Sequence, residues 1–128
     1  MPTVSKPRRY TIGFFVDRRG RKPVEEYLFL RNNETDFAVL ILVIQRLSIV
    51  GQGLIDTDMV KHLEGPIFEL RKDRHRILYA QDENRFVLLS AFLKETQKTP
   101  PEQIARALKN YREYQETGKF FELKLPSG

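Results

Sequence analysis

Apolar and polar positions follow two rhythms along the chain, and the change from one to the other marks its elements. Residues 10–16, YTIGFFV, are β-branched and aromatic and end at the turn-like DRRGRK, which predicts a first strand. Pro23 then opens a short helix in which Val24, Tyr27 and Leu28 recur at helical spacing. Glu25 and Glu26 lie near its positive N-terminal end, where carboxylates are favoured. Within residues 33–50 the run FAVLILVI suits a buried strand as well as a helix, and length decides for the helix. Asn33, Thr35 and Asp36 are possible caps, Gly51 is a stop, and Phe37, Leu40, Ile41, Ile44 and Leu47 form one stripe.

After the connection GQGLIDTD the period becomes that of strands. Residues 59–63, 67–71, 76–81 and 85–93 are short apolar runs separated by turn signals, so a meander is expected. The last of these contains FVLLSAFL, apolar on both faces, and should be a central strand. Thr99-Pro-Pro-Glu102 reads as an N-cap, two tolerated prolines and a capping-box glutamate, which starts a final helix. Ile104, Ala107, Leu108, Tyr111 and Tyr114 would be its buried stripe and Gly118 its end. For residues 117–128 docking, partner-induced folding and fraying all remain open.

The 128 residues suit one domain, with its core at about residues 10–115. No run reaches the roughly 18 consecutive apolar residues of a membrane span, and the basic N-terminus lacks a secretion-signal pattern, so a cytoplasmic protein without membrane contact is expected. With no cysteine, disulfides, thiolate metal sites and a cysteine nucleophile are excluded. His62 and His75, the two histidines, lack a metal-site motif, and neither a metal nor another cofactor is expected. The net charge of +5 favours a polyanionic partner, above all where cations gather. They do so at residues 18–22 and in RKDRHR, residues 71–76, which is either a binding surface or a solvated hairpin end.

Four segments carry a resemblance: Lys61-His-Leu-Glu-Gly65, Ile67-Phe-Glu-Leu-Arg71, Arg76-Ile-Leu-Tyr79 and Phe92-Leu-Lys-Glu-Thr-Gln-Lys-Thr-Pro100. In order and spacing they are similar to the signature of the RelE/HigB toxin superfamily, in its phage-derived Gp49-like branch. The resemblance covers about residues 10–115 and implies an α+β, RelE-like fold. That is a small, mostly antiparallel sheet with two N-terminal helices and one C-terminal helix packed on it, the helices covering one face. Phe68 stands where the family has tryptophan, which keeps a large aromatic. Glu95 stands where it has a lysine, which exchanges a cation for an anion.

The resemblance further implies the toxin of a toxin–antitoxin pair that cuts mRNA, usually on the ribosome, through attack of a ribose 2′-hydroxyl on the adjacent phosphate. Its expected partner is a helix-turn-helix antitoxin; the oligomeric state stays open. Such chemistry needs no metal, but it needs cations at the phosphate and groups that take and give a proton. Arg71 is the first candidate for the scissile phosphate, since its planar guanidinium offers two donors, and Arg76 is the second. Alternation puts Glu69 on the same face as Arg71, opposite Phe68 and Leu70, where it can orient the arginine. Lys94 and Lys98 are acid–base candidates or a solvated pair. His62 is a catalytic candidate that alternation turns away from Lys61 and Leu63. Lys61, Lys72, Arg74, His75 and Tyr79 complete the RNA-binding candidates, although ILYA also reads as a packed strand. Two other functions fit the residues: a ParE-like gyrase inhibitor, and a catalytically inactive nucleic-acid-binding relative.

Overall fold

The computed structural model describes residues 10–30 and 33–125. In chain order these form β1 (Thr11–Phe15), α1 (Pro23–Leu30), α2 (Glu34–Val50) and a short 3-10 turn (Gly51–Leu54). Then follow β2 (Val60–Glu64), β3 (Ile67–Lys72), β4 (His75–Asp82), β5 (Arg85–Leu93), α3 (Pro101–Thr117) and β6 (Phe120–Glu122). The strands make one sheet in the order β2-β3-β4-β5-β1-β6. Each step from β2 to β5 is a two-residue hairpin, and Gly65, Asp73 and Glu83 take the positive φ that such turns require. The exception to antiparallel pairing is β1, which lies parallel to β5 with Thr11 opposite Arg85 and Phe14 opposite Leu88.

The expected α+β class and mostly antiparallel sheet are present, but the helices do not gather on one face. Ile12, Phe14, Leu70, Ile77, Tyr79, Phe86 and Leu88 pack with α1 and α2 on one side. Phe15, Ile67, Leu78, Ala80, Val87, Leu89 and Phe92 pack with Ala107 and Tyr114 of α3 on the other. The cause lies in β4 and β5, which are apolar on both faces and would leave a bare layer if every helix sat on one side.

Helix α2 follows its sequence signals. The Asn33 side chain accepts a hydrogen bond from the Asp36 backbone N–H at 2.8 Å, and Gly51 ends the helix at φ 68°. With the 3-10 turn it is long and apolar enough to cross a membrane by length and composition, yet Leu40, Val43, Ile44 and Leu47 form a seam on the sheet. α3 begins differently from its signals: Pro100 is the N-cap and no side chain caps the helix, because the Thr99 hydroxyl is engaged elsewhere. Its C-terminus at Gly118 is as expected, left-handed at φ 69°. Part of the tail docks, since β6 pairs antiparallel with the outer edge of β1. Gly13 permits the contact: a methyl there would meet the Phe121 carbonyl and the Phe120 ring.

Candidate functional site

α3 lies chiefly over β5, reaches β4 and β3 more sparsely, and leaves β2, at the outer end of the same face, largely uncovered. Alternation brings Lys61, Glu69, Arg71 and Arg76 to that side, with Lys61 opposite Glu69 and Arg71 opposite Arg76 in the ladders. Glu69, fully buried, is the hub. One of its carboxylate oxygens accepts from Arg71 Nε at 2.7 Å and lies 3.8 Å from Arg76 Nε. The other accepts from the Thr99 hydroxyl, which ties the segment before α3 to the sheet.

The two arginines are held differently. Arg71 uses only Nε on the protein, and its side chain is about one-third exposed, so its terminal amino groups have no partner among the described residues. Those groups can meet two phosphate oxygens. Arg76 is buried, and its Nη1 donates to the Asp73 carbonyl at 2.7 Å and to the His75 carbonyl at 2.9 Å. Burial pushes its guanidinium below the ordinary arginine range, while Glu69 pulls it back up and Arg71 adds a smaller downward push. It is a fixed positive charge that braces the β3–β4 turn.

Beside this cluster a cleft of about 420 Å³ is lined by Arg74, Arg76, Lys94 and Glu95 among others. Its walls are locked to each other: Lys94 N–H donates to the Arg74 carbonyl at 2.7 Å, and Arg74 Nε to the Lys94 carbonyl at 3.0 Å. Lys98 is exposed on the loop before α3, where its carbonyl accepts from the Thr96 hydroxyl at 2.7 Å. Glu95, the departure from the family pattern, therefore stands on the cleft wall beside Lys94.

The remaining candidates lie apart. His62 is on the opposite side of the sheet from Arg71, with its ring against Phe68 and its Nε2 2.8 Å from the Gly65 carbonyl. Lys72 alternates to that same side and is exposed. His75, an RNA-binding candidate, is the buried start of β4, with Nδ1 2.7 Å from the Tyr27 hydroxyl and Nε2 3.8 Å from the Asp36 carboxylate. Tyr79 cannot be a platform for a base: it is wholly buried, packs on Phe68 and Phe86, and donates to Gln52 at 2.9 Å. Among the described residues no group of three His, Asp or Glu side chains is placed to hold a metal ion.

Sequence reasoning gave Glu69 a supporting part and missed Thr99. Glu69 had a signal, as a carboxylate two residues from an arginine in a strand. Thr99 had a misleading one, since Thr-Pro-Pro-Glu satisfies a capping box on paper. With this geometry in view, comparison with known proteins adds one finding. A family model described as phage derived protein Gp49-like (DUF891) matches residues 32–112, which span β2 to β5 and all of the cluster. No curated protein matches the chain.

Proposed function

The chain belongs to the Gp49-like family of phage-derived proteins, within the RelE/HigB-like toxin superfamily, and from that premise we propose that it is the toxin of a toxin–antitoxin pair. We propose further that it is a cytoplasmic endoribonuclease acting on mRNA, with the ribosome as its site of action and an antitoxin as its cognate partner. The observation that carries the finer reading is the arrangement at Glu69, a buried carboxylate that holds Arg71 by Nε alone, opposite Arg76, which itself lines the cleft with Lys94.

In this reading Arg71 binds the two non-bridging oxygens of the scissile phosphate, and Arg76 adds positive charge from a site that exposes little of it to water. The 2′-hydroxyl attacks the neighbouring phosphorus and loses its proton to a base. The 5′-oxygen leaves and takes up a proton, giving a 2′,3′-cyclic phosphate and a 5′-hydroxyl. Lys94, at the cleft beside Arg76, is our candidate for one of these transfers, and Lys98 is the second. His62 is set aside because the sheet separates it from Arg71.

One observation favours a different reading, a binding module without catalysis. Both histidines lie off the cluster, and Glu69 is occupied by Arg71 and Thr99, so it is not free to act as a base. Induction of the chain in a bacterial host, beside Arg71→Ala and Lys94→Ala variants, separates the two. RNA cleavage predicts growth arrest and new mRNA ends by primer extension, both lost in the variants. Arrest with intact mRNA sinks the nuclease reading in favour of a gyrase-type target, and no arrest with soluble protein leaves the binding module.

A further inference from the structure

A second site lies between α1 and α3. β1 pairs with β5 only as far as Leu88, so among the described residues no strand lies beside the rest of that β5 edge. The carbonyl of buried Leu89, just past the last paired residue, accepts from the Asn110 side chain of α3 at 2.9 Å. Between α1 and α3 lie three adjoining cavities of about 550, 360 and 530 Å³, the last two lined in part by this edge, and Arg106 lines all three. The last of them also contains Glu95, which it shares with the Arg76–Lys94 cleft, so groove and cleft meet.

Two buried polar atoms in this groove have no partner among the described residues: Ser90 Oγ, on a residue only 2% exposed, and Gln103 Oε1. An orphaned buried group is costly, and its presence in a cavity of ligand size points to something that satisfies it. The inner cavity is rich in acceptors. Gln103, Glu95 and Asp36 line it together with one arginine, Arg106, while His75 is held between Tyr27 and Asp36.

We infer that this cavity receives a guanine base of the RNA whose phosphate lies at Arg71 and Arg76, an inference that rests on the RNA-cleaving reading above. Guanine presents the adjacent N1–H and N2–H donors on one edge, which Glu95 and Gln103 Oε1 accept, and O6 and N7 on another, which an arginine bonds bidentately. Uracil offers one N–H between two acceptors, and adenine and cytosine offer one amino group each. Glu95 stands where the family resemblance gives a lysine, so the acceptor is a feature of this chain. The exchange that weakens the cleft as a phosphate trap equips its neighbour to read a base.

Binding is measured apart from cleavage, by titrating the full chain with the 5′-monophosphates of guanosine, inosine, adenosine, cytidine and uridine and following the Gln103 side-chain and Ala91 amide signals by NMR. Guanosine monophosphate should bind best. Inosine monophosphate, which lacks the N2 amino group, should bind roughly tenfold more weakly. Glu95→Lys, an exposed-loop change whose fold is checked by its thermal midpoint, should erase that preference, as should Gln103→Leu. Equal binding of all five nucleotides, or a preference that Glu95→Lys leaves intact, overturns the pocket. If the protein cuts RNA but shows no guanine preference, the pocket fails and the nuclease reading stands. If it selects guanine and cuts nothing, the pocket stands and the nuclease reading fails.

Discussion

The two faces of the sheet solve the same packing problem with different chemistry. Under α1 and α2 the strands present a continuous apolar layer from Val60 on β2 to Ile12 on β1. Under α3 the apolar layer stops where the helix stops, and Glu69, Arg71 and Arg76 occupy the ground beyond it. Apolar residues there would be at least as stabilising, since a buried ion pair recovers little more than its own desolvation cost. A stability optimum would therefore look like the α2 face on both sides. The charged corner departs from it where the family's sequence signature is concentrated, as a site rather than a packing solution would.

Glu69→Ala should have the largest effect, about 3–5 kcal/mol by denaturant unfolding, because it strands the buried Arg76 without its counter-charge. A loss below 1 kcal/mol would mean that the corner is not a coupled network. Thr99→Val removes a hydrogen bond to a carboxylate and should cost about 1.5–3 kcal/mol. A double-mutant cycle with Glu69→Gln should find the two effects non-additive, whereas a threonine acting only as a helix cap would give additive ones. On the opposite face Ile44→Val should cost about 0.5–1.5 kcal/mol and leave untouched the nucleic-acid binding proposed for the charged corner. Loss of binding in that variant would erase the division between the faces.

The smallest contrast is in alkali. Burial raises the Tyr79 hydroxyl above the ordinary tyrosine range, and burial together with the hydrogen bond to Asp82 raises that of Tyr114. Both groups bind their protons more tightly folded than unfolded. Their contribution is therefore complete below the unfolded value of about 10 and is lost as pH rises through the folded values. Unfolding free energy should fall above about pH 10, and Tyr79→Phe should flatten that limb more than Tyr114→Phe, since the Tyr79 shift is the larger.

Elements dominated by local signals were legible in the chain. β5 occupies the expected residues 85–93, Asn33 caps α2, and Gly118 ends α3. What was not legible depends on distant partners. Thr99 is an N-cap by its neighbours and a Glu69 ligand by the fold. The distribution of helices over both faces follows from β4 and β5 being buried twice, and β6 exists because Gly13, more than a hundred residues earlier, leaves room for it. At the site, alternation correctly placed Glu69 beside Arg71. It could not tell which of two histidines faced the cluster, and neither does.

The parallel pairing of β1 with β5 also sets an order of events during synthesis. Residues 11–14 have no strand partner until residues 85–88 have emerged, and Glu69 lacks one of its ligands until Thr99 follows. Such non-local closure is slow and comes late in folding. A chain interrupted before Thr99 holds Arg71 and Arg76 without the frame that aims them, so the proposed site is completed only after residues 85–99 have been made.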